Sequence, residues 1–253
     1  MPSNSYLFVL AHPDDDVFIS GHIQRFLADE LEVHCVWLTS GGYMGGAMKR
    51  ERELFAVAEI LGLRRSQIHL MRLADLGLIG LLETVIQYLI RLFEAVEPKA
   101  VYVNAFEGGH PDHDCASFAV FEARRRSGCS FEILEFPLYN GAGSFLQWRW
   151  QINTFPNGDG IAQYLPLTFQ EVATKHRTMR IYASQWMYMI PARLACSTKK
   201  MVREGEPKRL CHPDRDHTVK PHSGKLNYER WFNSFMRIKF SNYQEAVKRS
   251  RLA

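Results

Sequence analysis

Short runs of uninterrupted apolar residues alternate with longer segments whose apolar residues recur every three or four positions. Residues 6–11, YLFVLA, are apolar throughout and too few for a helix, so they predict a strand buried on both faces. Residues 33–39, 67–71, 101–106 and 131–138 predict further strands. Between them, residues 18–31 place Ile19, Ile23, Phe26, Leu27 and Leu31 at helical spacing. Residues 49–61 do the same with Leu54, Val57, Ala58 and Leu61, and Gly62 stops that helix. Residues 116–126 and 167–184 predict two more helices. The longest apolar stretch, residues 76–93, is broken by Glu83, Gln87 and Arg91 at a spacing of four, which predicts an amphipathic helix with one wet stripe and no membrane span. Strands alternating with helices predict an α/β protein, a Rossmann-like three-layer fold with a mostly parallel sheet.

Two segments depart from the alternation. Residues 139–166 mix glycine, proline and the aromatics Phe145, Trp148 and Trp150, which predicts a loop-rich insertion with one strand near 150–154 and a role as a pocket wall. Residues 198–253 carry 14 Lys and Arg against 6 Asp and Glu, a balance of +8 in a chain whose total is +4. This basic C-terminal extension has no nucleic-acid motif and reads first as a solvated surface, with an anionic substrate or partner as the alternative. At 253 residues, 46% hydrophobic and 23% charged, the chain suits a single α/β domain spanning 1–253. The apolar run after Met1 is too short for a secretion signal, which predicts a cytoplasmic protein. Five cysteines without a CxxC pair predict free thiols.

The chemistry gathers where two predicted strands end. The first runs into His12, Pro13, Asp14, Asp15 and Asp16, and Pro13 suits the first turn of a helix, so the carboxylates are expected at a helix N-terminus. The strand at 101–106 is followed, after Glu107, Gly108 and Gly109, by His110, Pro111, Asp112 and His113. Either motif alone is a weak signal, and a lone His is more often structural than a ligand. A pair at the carboxyl ends of two strands is stronger, because open α/β sheets bind ligands at that edge and His with carboxylate is a donor set that suits zinc.

These motifs, AHPDD at 11–15 and HPDH at 110–113, resemble the zinc-dependent N-acetylglucosaminyl deacetylases related to the glycosylphosphatidylinositol de-N-acetylase, the LmbE-like or PIG-L family. The resemblance spans roughly residues 6–185. It implies one zinc per chain held by His12, Asp15 and His113, with Asp14 as general base and Asp112 orienting a ligand imidazole. It implies His110 or Tyr182 as the donor to the oxyanion, and His110 or Asp14 as the source of the proton for the departing amine. Arg50, in the helix that ends with Leu61 and Gly62, and Asp75, two residues before Gly77, are implied substrate contacts. Lys175 followed by Tyr182, Ser184 and Gln185 resembles the closing signature, with tyrosine where histidine is also found. Asp16 stands where glutamate is common and reads equally well as a solvated cap.

The expected activity is therefore zinc-dependent removal of an acetyl group from an N-acetylated amino sugar or a conjugate of one. The expected partner is a small-molecule glycan or glycoconjugate, with the oligomeric state, including a homo-oligomer, left open. The alternative on the same scaffold is a zinc-dependent hydratase of an unsaturated carboxylic acid. Glycines at 41, 42, 45 and 46 form a loop that lets backbone approach a ligand, but neither a Walker lysine nor GxGxxG accompanies them, which argues against a nucleotide site. A third HPD at 212–214, with His217 and His222 beyond it, follows no apolar strand and reads as a loop rather than a second metal site.

Overall fold

The computed structural model describes residues 4–42, 46–142, 151–156, 160–212, 214–230 and 238–252. Five parallel strands, β1 (Ser5–Leu10), β2 (Glu32–Thr39), β3 (Ile68–Leu73), β4 (Ala100–Asn104) and β5 (Glu132–Phe136), form most of the sheet. Two later strands, β8 (Gln163–Leu165) and β9 (Glu206–Leu210), extend it in the order β3-β2-β1-β4-β5-β9-β8, with β9 antiparallel to both of its neighbours. Strands β6 (Tyr139–Asn140) and β7 (Gln151–Ile152) pair as a separate short ribbon.

Side chains of β1 alternate between two cores. Leu7 and Val9 face one, and Phe8 and Leu10 face the other. The first core packs helices α3 (Leu82–Val96), α4 (Pro111–Ser127) and α8 (Phe240–Leu252) on the sheet. The second packs α1 (Asp16–Ala28), α2 (Ala47–Leu61), α5 (Phe169–Ile181), α6 (Trp186–Ala195) and α7 (Thr198–Arg203) on the opposite face. The result is three layers, as the alternation of short and periodic segments predicts. In α3, Leu82, Val85, Ile86, Leu89, Leu92 and Phe93 are buried at the helical period, each worth about 1.5–3 kcal/mol. Among the described residues no helix is long and apolar enough to cross a membrane.

The C-terminal segment differs from the solvated extension that its charge suggests. It supplies β9 to the sheet, and α8 buries Phe240, Tyr243, Ala246 and Val247 against α3 and α4. Several of its charges are buried and paired. Arg209 and Arg215 both meet Glu135. Glu206 accepts from Lys175 Nζ at 2.7 Å and from the backbone N–H groups of Gly21 and His22, tying β9 and α5 to α1. A composition count cannot see such pairing, because it registers charge and not its partner. In the insertion, β7 accounts for part of the strand predicted at 150–154. Phe145, Trp148 and Trp150 lie outside the described residues.

Burial alone would raise the Glu206 carboxyl, but Lys175 and His22 outweigh it and hold the group down at about 2. Its folded value lies below the usual 4.5, so its contribution to stability is complete above about pH 4.5 and is lost as pH falls toward 2. Lys175→Met strands this buried carboxylate and should cost ~3–5 kcal/mol in chemical denaturation. The double change Lys175→Met with Glu206→Gln should cost less than Lys175→Met alone, and a flatter acid limb in the double variant would confirm the source.

Candidate metal centre and cleft

Strands β1 and β4 are neighbours in the sheet, while the chain leaves β1 toward β2 on one side and β4 toward β5 on the other. This is the topological switch point of an open sheet, where a crevice forms at the carboxyl edge. The two HPD motifs leave these two strands, so they meet there although about a hundred residues separate them. His110 caps α4 with its Nδ1 accepting from the Asp112 N–H at 3.2 Å, and Pro111 occupies the first turn.

Three side chains converge. His12 Nδ1 lies 3.1 Å from His113 Nε2, and the Asp15 carboxylate lies 3.3 Å from His113 Nε2 and 3.8 Å from His12 Nδ1. Ligands about 2.0–2.1 Å from a tetrahedral zinc are spaced about 3.4 Å apart, a spacing that the two imidazoles at 3.1 Å and Asp15 Oδ1 at 3.3 Å from His113 approach. The 3.8 Å contact to His12 is made by the other oxygen, Oδ2. All three are buried. Asp15 Oδ2 is already engaged by the His12 N–H at 2.9 Å and by Asn104 Nδ2 at 3.0 Å, which directs Oδ1 toward His113. Asn104 Oδ1 in turn accepts from the Ala11 N–H, so one amide at the end of β4 fixes both β1 and the carboxylate.

The other nitrogen of His12 is held from behind. Nε2 lies 3.2 Å from Asp112 Oδ2 and 3.2 Å from Asp75 Oδ1. Asp112 also accepts the N–H groups of Leu76 and Leu78, so its oxygens are committed to orienting groups. Among the described residues, the donor groups whose ligand atoms all lie within 4.8 Å of one another are His12 with His110 and His113, and His12 with Asp75 and Asp112, so Asp15 stands beside the first group rather than within it. In the second group the carboxylates of Asp112 and Asp75 face His12 Nε2, and each Asp112 oxygen also accepts one backbone N–H. Burial would lower the His12 pKa, but Asp112, Asp15 and Asp75 outweigh it and raise it well above the usual value. The site draws positive charge to itself.

Asp14 faces the same cleft with φ at 106°, a strained backbone for a residue other than glycine. Arg50 holds it there, with Nη2 donating to Asp14 Oδ1 at 2.7 Å and to Pro13 O, and Nη1 donating to Gly41 O at 2.7 Å. Gly41, at φ +61°, has no room for a side chain, since a Cβ would meet the Arg50 guanidinium at 2.6 Å. Gly41 of that loop thus makes room for an arginine. Burial, with the charges of Asp15 and Asp75, pushes the Asp14 carboxyl up to about 7 against the pull of Arg50 and His12. His110 is pushed well below its usual range by burial and by the neighbouring His12 and His113. A neutral His110 whose Nδ1 accepts from Asp112 carries its proton on Nε2.

Two expectations do not hold geometrically. Tyr182 is fully buried, donates to Asp16 Oδ1 at 2.9 Å and is not among the residues lining the cleft, which places its hydroxyl away from the position expected of an oxyanion donor. Asp16 is buried rather than solvated, accepts the Asp14 N–H at 3.1 Å, and is pushed up to about 7 by burial. The pair supports the strained turn from beneath. Arg50 lines the cleft, but its Nη groups are spent on Asp14, Pro13 and Gly41. In the third HPD segment, His212 is exposed, while His217 is buried among Phe106, Phe118 and Phe121 with Nε2 3.3 Å from Ser117 Oγ.

Other contributors were invisible as motifs. Glu107 is buried and accepts from Leu138 N, Tyr139 N and Asn140 Nδ2, fastening the cleft wall to the loop before His110. Asp114 accepts from Glu107 N, Gly108 N and the Tyr228 hydroxyl. Asn227, in the turn Asn227–Glu229, lines the cleft and donates to Gly109 O at 3.1 Å. Only the asparagine that interrupts the apolar run VYVNAF offered a sequence signal, as a polar residue in a buried strand. The cleft holds about 430 Å³, with the histidines and carboxylates on one wall and Trp186, Met187, Tyr188 and Pro191 on another.

The PIG-L family, described as GlcNAc-PI de-N-acetylase, matches residues 7–124, the segment that holds both HPD motifs. No curated protein matches the chain. Among solved structures, the zinc-inhibited form of a teicoplanin deacetylase aligns at 13% identity and TM-score 0.63, over 83% of this chain and 100% of that one. The N,N'-diacetylchitobiose deacetylase of Pyrococcus horikoshii aligns at 19% identity and TM-score 0.61, over 83% and 85%. The 4-carboxy-2-hydroxymuconate hydratase of Pseudomonas putida aligns at 18% identity and TM-score 0.53, over 82% and 95%. At these identities the likeness is one of fold.

Asn104→Ala leaves Asp15 with a single anchor and should weaken zinc binding by about 10–100-fold with the fold intact, as measured by chelator competition beside circular dichroism.

Proposed function

We propose, on the premise of the PIG-L match over residues 7–124, that the chain is a zinc-dependent N-deacetylase acting on an N-acetylated amino sugar or its conjugate. The observation that carries this reading is the convergence of His12, Asp15 and His113 beside a second, partly buried carboxylate, Asp14, that is not part of the donor set. One zinc per chain, held by these three residues, would supply Lewis acidity to an amide carbonyl and lower the pKa of an attacking water.

The remaining steps belong to the protein. Asp14, with a pKa near neutrality, takes the proton of the attacking water. Arg50 fixes the direction of that carboxylate and the strained turn that carries it. His110, with its proton on Nε2, donates to the developing oxyanion, and His110 or Asp14 in its protonated form returns a proton to the departing amine. Asp112, accepting from His12 Nε2, would keep His12 in the tautomer whose Nδ1 is free to hold a metal ion. Asp75 lines the cleft beside His12 and is the acceptor we assign to a sugar hydroxyl. Arg50 acts on the substrate through Asp14 and not by direct contact.

A hydratase on the same scaffold would use the same donor set, and the fold likeness to one such enzyme keeps that reading second. Acetate release separates the two. The zinc-loaded chain, incubated with a panel of N-acetylated sugars and glycosides, should release acetate from at least one; none released, with water added to an unsaturated acid instead, would overturn the proposal.

Variants of the two adjacent carboxylates should differ in kind. Asp15→Asn should lose zinc and recover in part with excess metal, because an amide is a poor ligand. Asp14→Asn should keep zinc and lose turnover by ~10²–10⁴, without rescue by metal. Measuring metal content beside acetate decides this, and loss of zinc from Asp14→Asn would reverse the assignment.

A further inference from the structure

Helix α6 stands out on the surface. Of its ten residues, Trp186, Met187, Tyr188, Ile190 and Leu194 are exposed at 60%, 65%, 50%, 55% and 75%, and only Met189 and Ala192 are buried. Single exposed apolar residues are ordinary, whereas five large ones on one ten-residue helix, with Trp186, Met187, Ile190 and Leu194 within about 100° of one another around its axis, mark an interaction surface. Arg193 is the sole charge in the helix.

The charge around this patch is one-sided. From residue 172 to residue 203 the chain has seven Lys and Arg and no Asp or Glu. Lys175 is buried against Glu206, but Arg177, Arg180, Arg193, Lys199 and Arg203 are exposed. These cations sit on α5, α6 and α7, three consecutive helices in which α5 packs on both of the others and His176 meets the carbonyl of Cys196 at the end of α6. An apolar helix carrying Trp, Tyr, Met, Ile and Leu and bordered by exposed cations, with Glu53, Glu171 and Glu204 at the margins of the region, has the composition of a helix that lies in a lipid interface. The apolar side chains enter the acyl boundary, and the cations meet anionic headgroups.

We propose that α6, with the exposed cations of α5 and α7, docks the protein on an anionic lipid bilayer. Trp186, Met187 and Tyr188 belong both to the patch and to the lining of the cleft, so docking places the cleft mouth at the lipid boundary. The inference stands apart from the reaction, since it requires neither zinc nor acetate release.

Co-sedimentation of the full chain with vesicles tests it. Binding is expected to vesicles of phosphatidylglycerol with phosphatidylcholine and not to phosphatidylcholine alone, and it should weaken as salt screens the headgroups. Ile190→Ser with Leu194→Ser, and separately Lys199→Glu with Arg203→Glu, should each reduce binding by about tenfold or more while circular dichroism stays unchanged. All four positions lie outside the cleft lining. The proposal is overturned if the wild type ignores anionic vesicles, if both double variants bind them as well as the wild type does, or if Ile190→Ser with Leu194→Ser instead converts a dimer to a monomer in sedimentation velocity. That last result would identify a second copy of the chain as the occupant of the patch.

Discussion

Everything at the cleft depends on β1 and β4 lying side by side. Their adjacency lets Asn104, the last residue of β4, accept from Ala11 at the end of β1 and donate to Asp15 in the turn that follows. A single amide therefore sets the register of two strands and the direction of one carboxylate. His12 and His113, on opposite sides of this junction, come within 3.1 Å because the backbone has already been brought together. Side-chain chemistry alone would not hold two imidazoles and a carboxylate so close, since each loses hydration on burial and gains nothing until a cation or a hydrogen bond compensates it.

The cleft is costly for the fold. Asp14, Asp16, Glu107 and Asp114 are all pushed up to about 7 or 8, first of all by burial. A group whose folded value is raised favours the folded state below its ordinary range and loses that contribution as pH climbs through the folded value, so these carboxyls weigh against stability in alkali. The protein offsets them with donors rather than countercharges. Backbone N–H groups serve Glu107 and Asp114, the Tyr182 hydroxyl serves Asp16, and Arg50 is the one guanidinium placed on Asp14. At Asp14 burial outweighs even the Arg50 ion pair and leaves the carboxyl near 7, a value that suits a base.

The C-terminal half is joined to this site more closely than its charge suggests. Glu206 on β9 links α1 to α5 through Lys175, Asn227 and Tyr228 brace the loop before His110 and the first turn of α4, and Tyr243 of α8 donates to the Asp114 carbonyl. The residues that match the PIG-L family end at 124, so this bracing comes from segments beyond the match.

The sequence by itself determined the reactive groups and most of the elements up to about residue 185, while α6, α7, β9 and α8 carried no comparable signal. Short apolar runs bounded by turn residues favour buried strands, periodic ones favour helix faces, and a proline after histidine places the carboxylates at a helix start, all from local sterics and burial. It therefore disclosed the three-layer fold and the two motifs. Tertiary structure alone decided which polar groups face the cleft and which face each other. Tyr182 and Arg50 carry the same side chains wherever they stand, but Tyr182 is spent on Asp16 and Arg50 on Asp14, pairings between residues 166 and 36 positions apart. The same holds for the basic tail, where Arg209 and Arg215 find Glu135 across β5 and β9. A hydrogen bond or ion pair has no sequence signature when its partners are distant, because its existence depends on where the sheet brings the chain back.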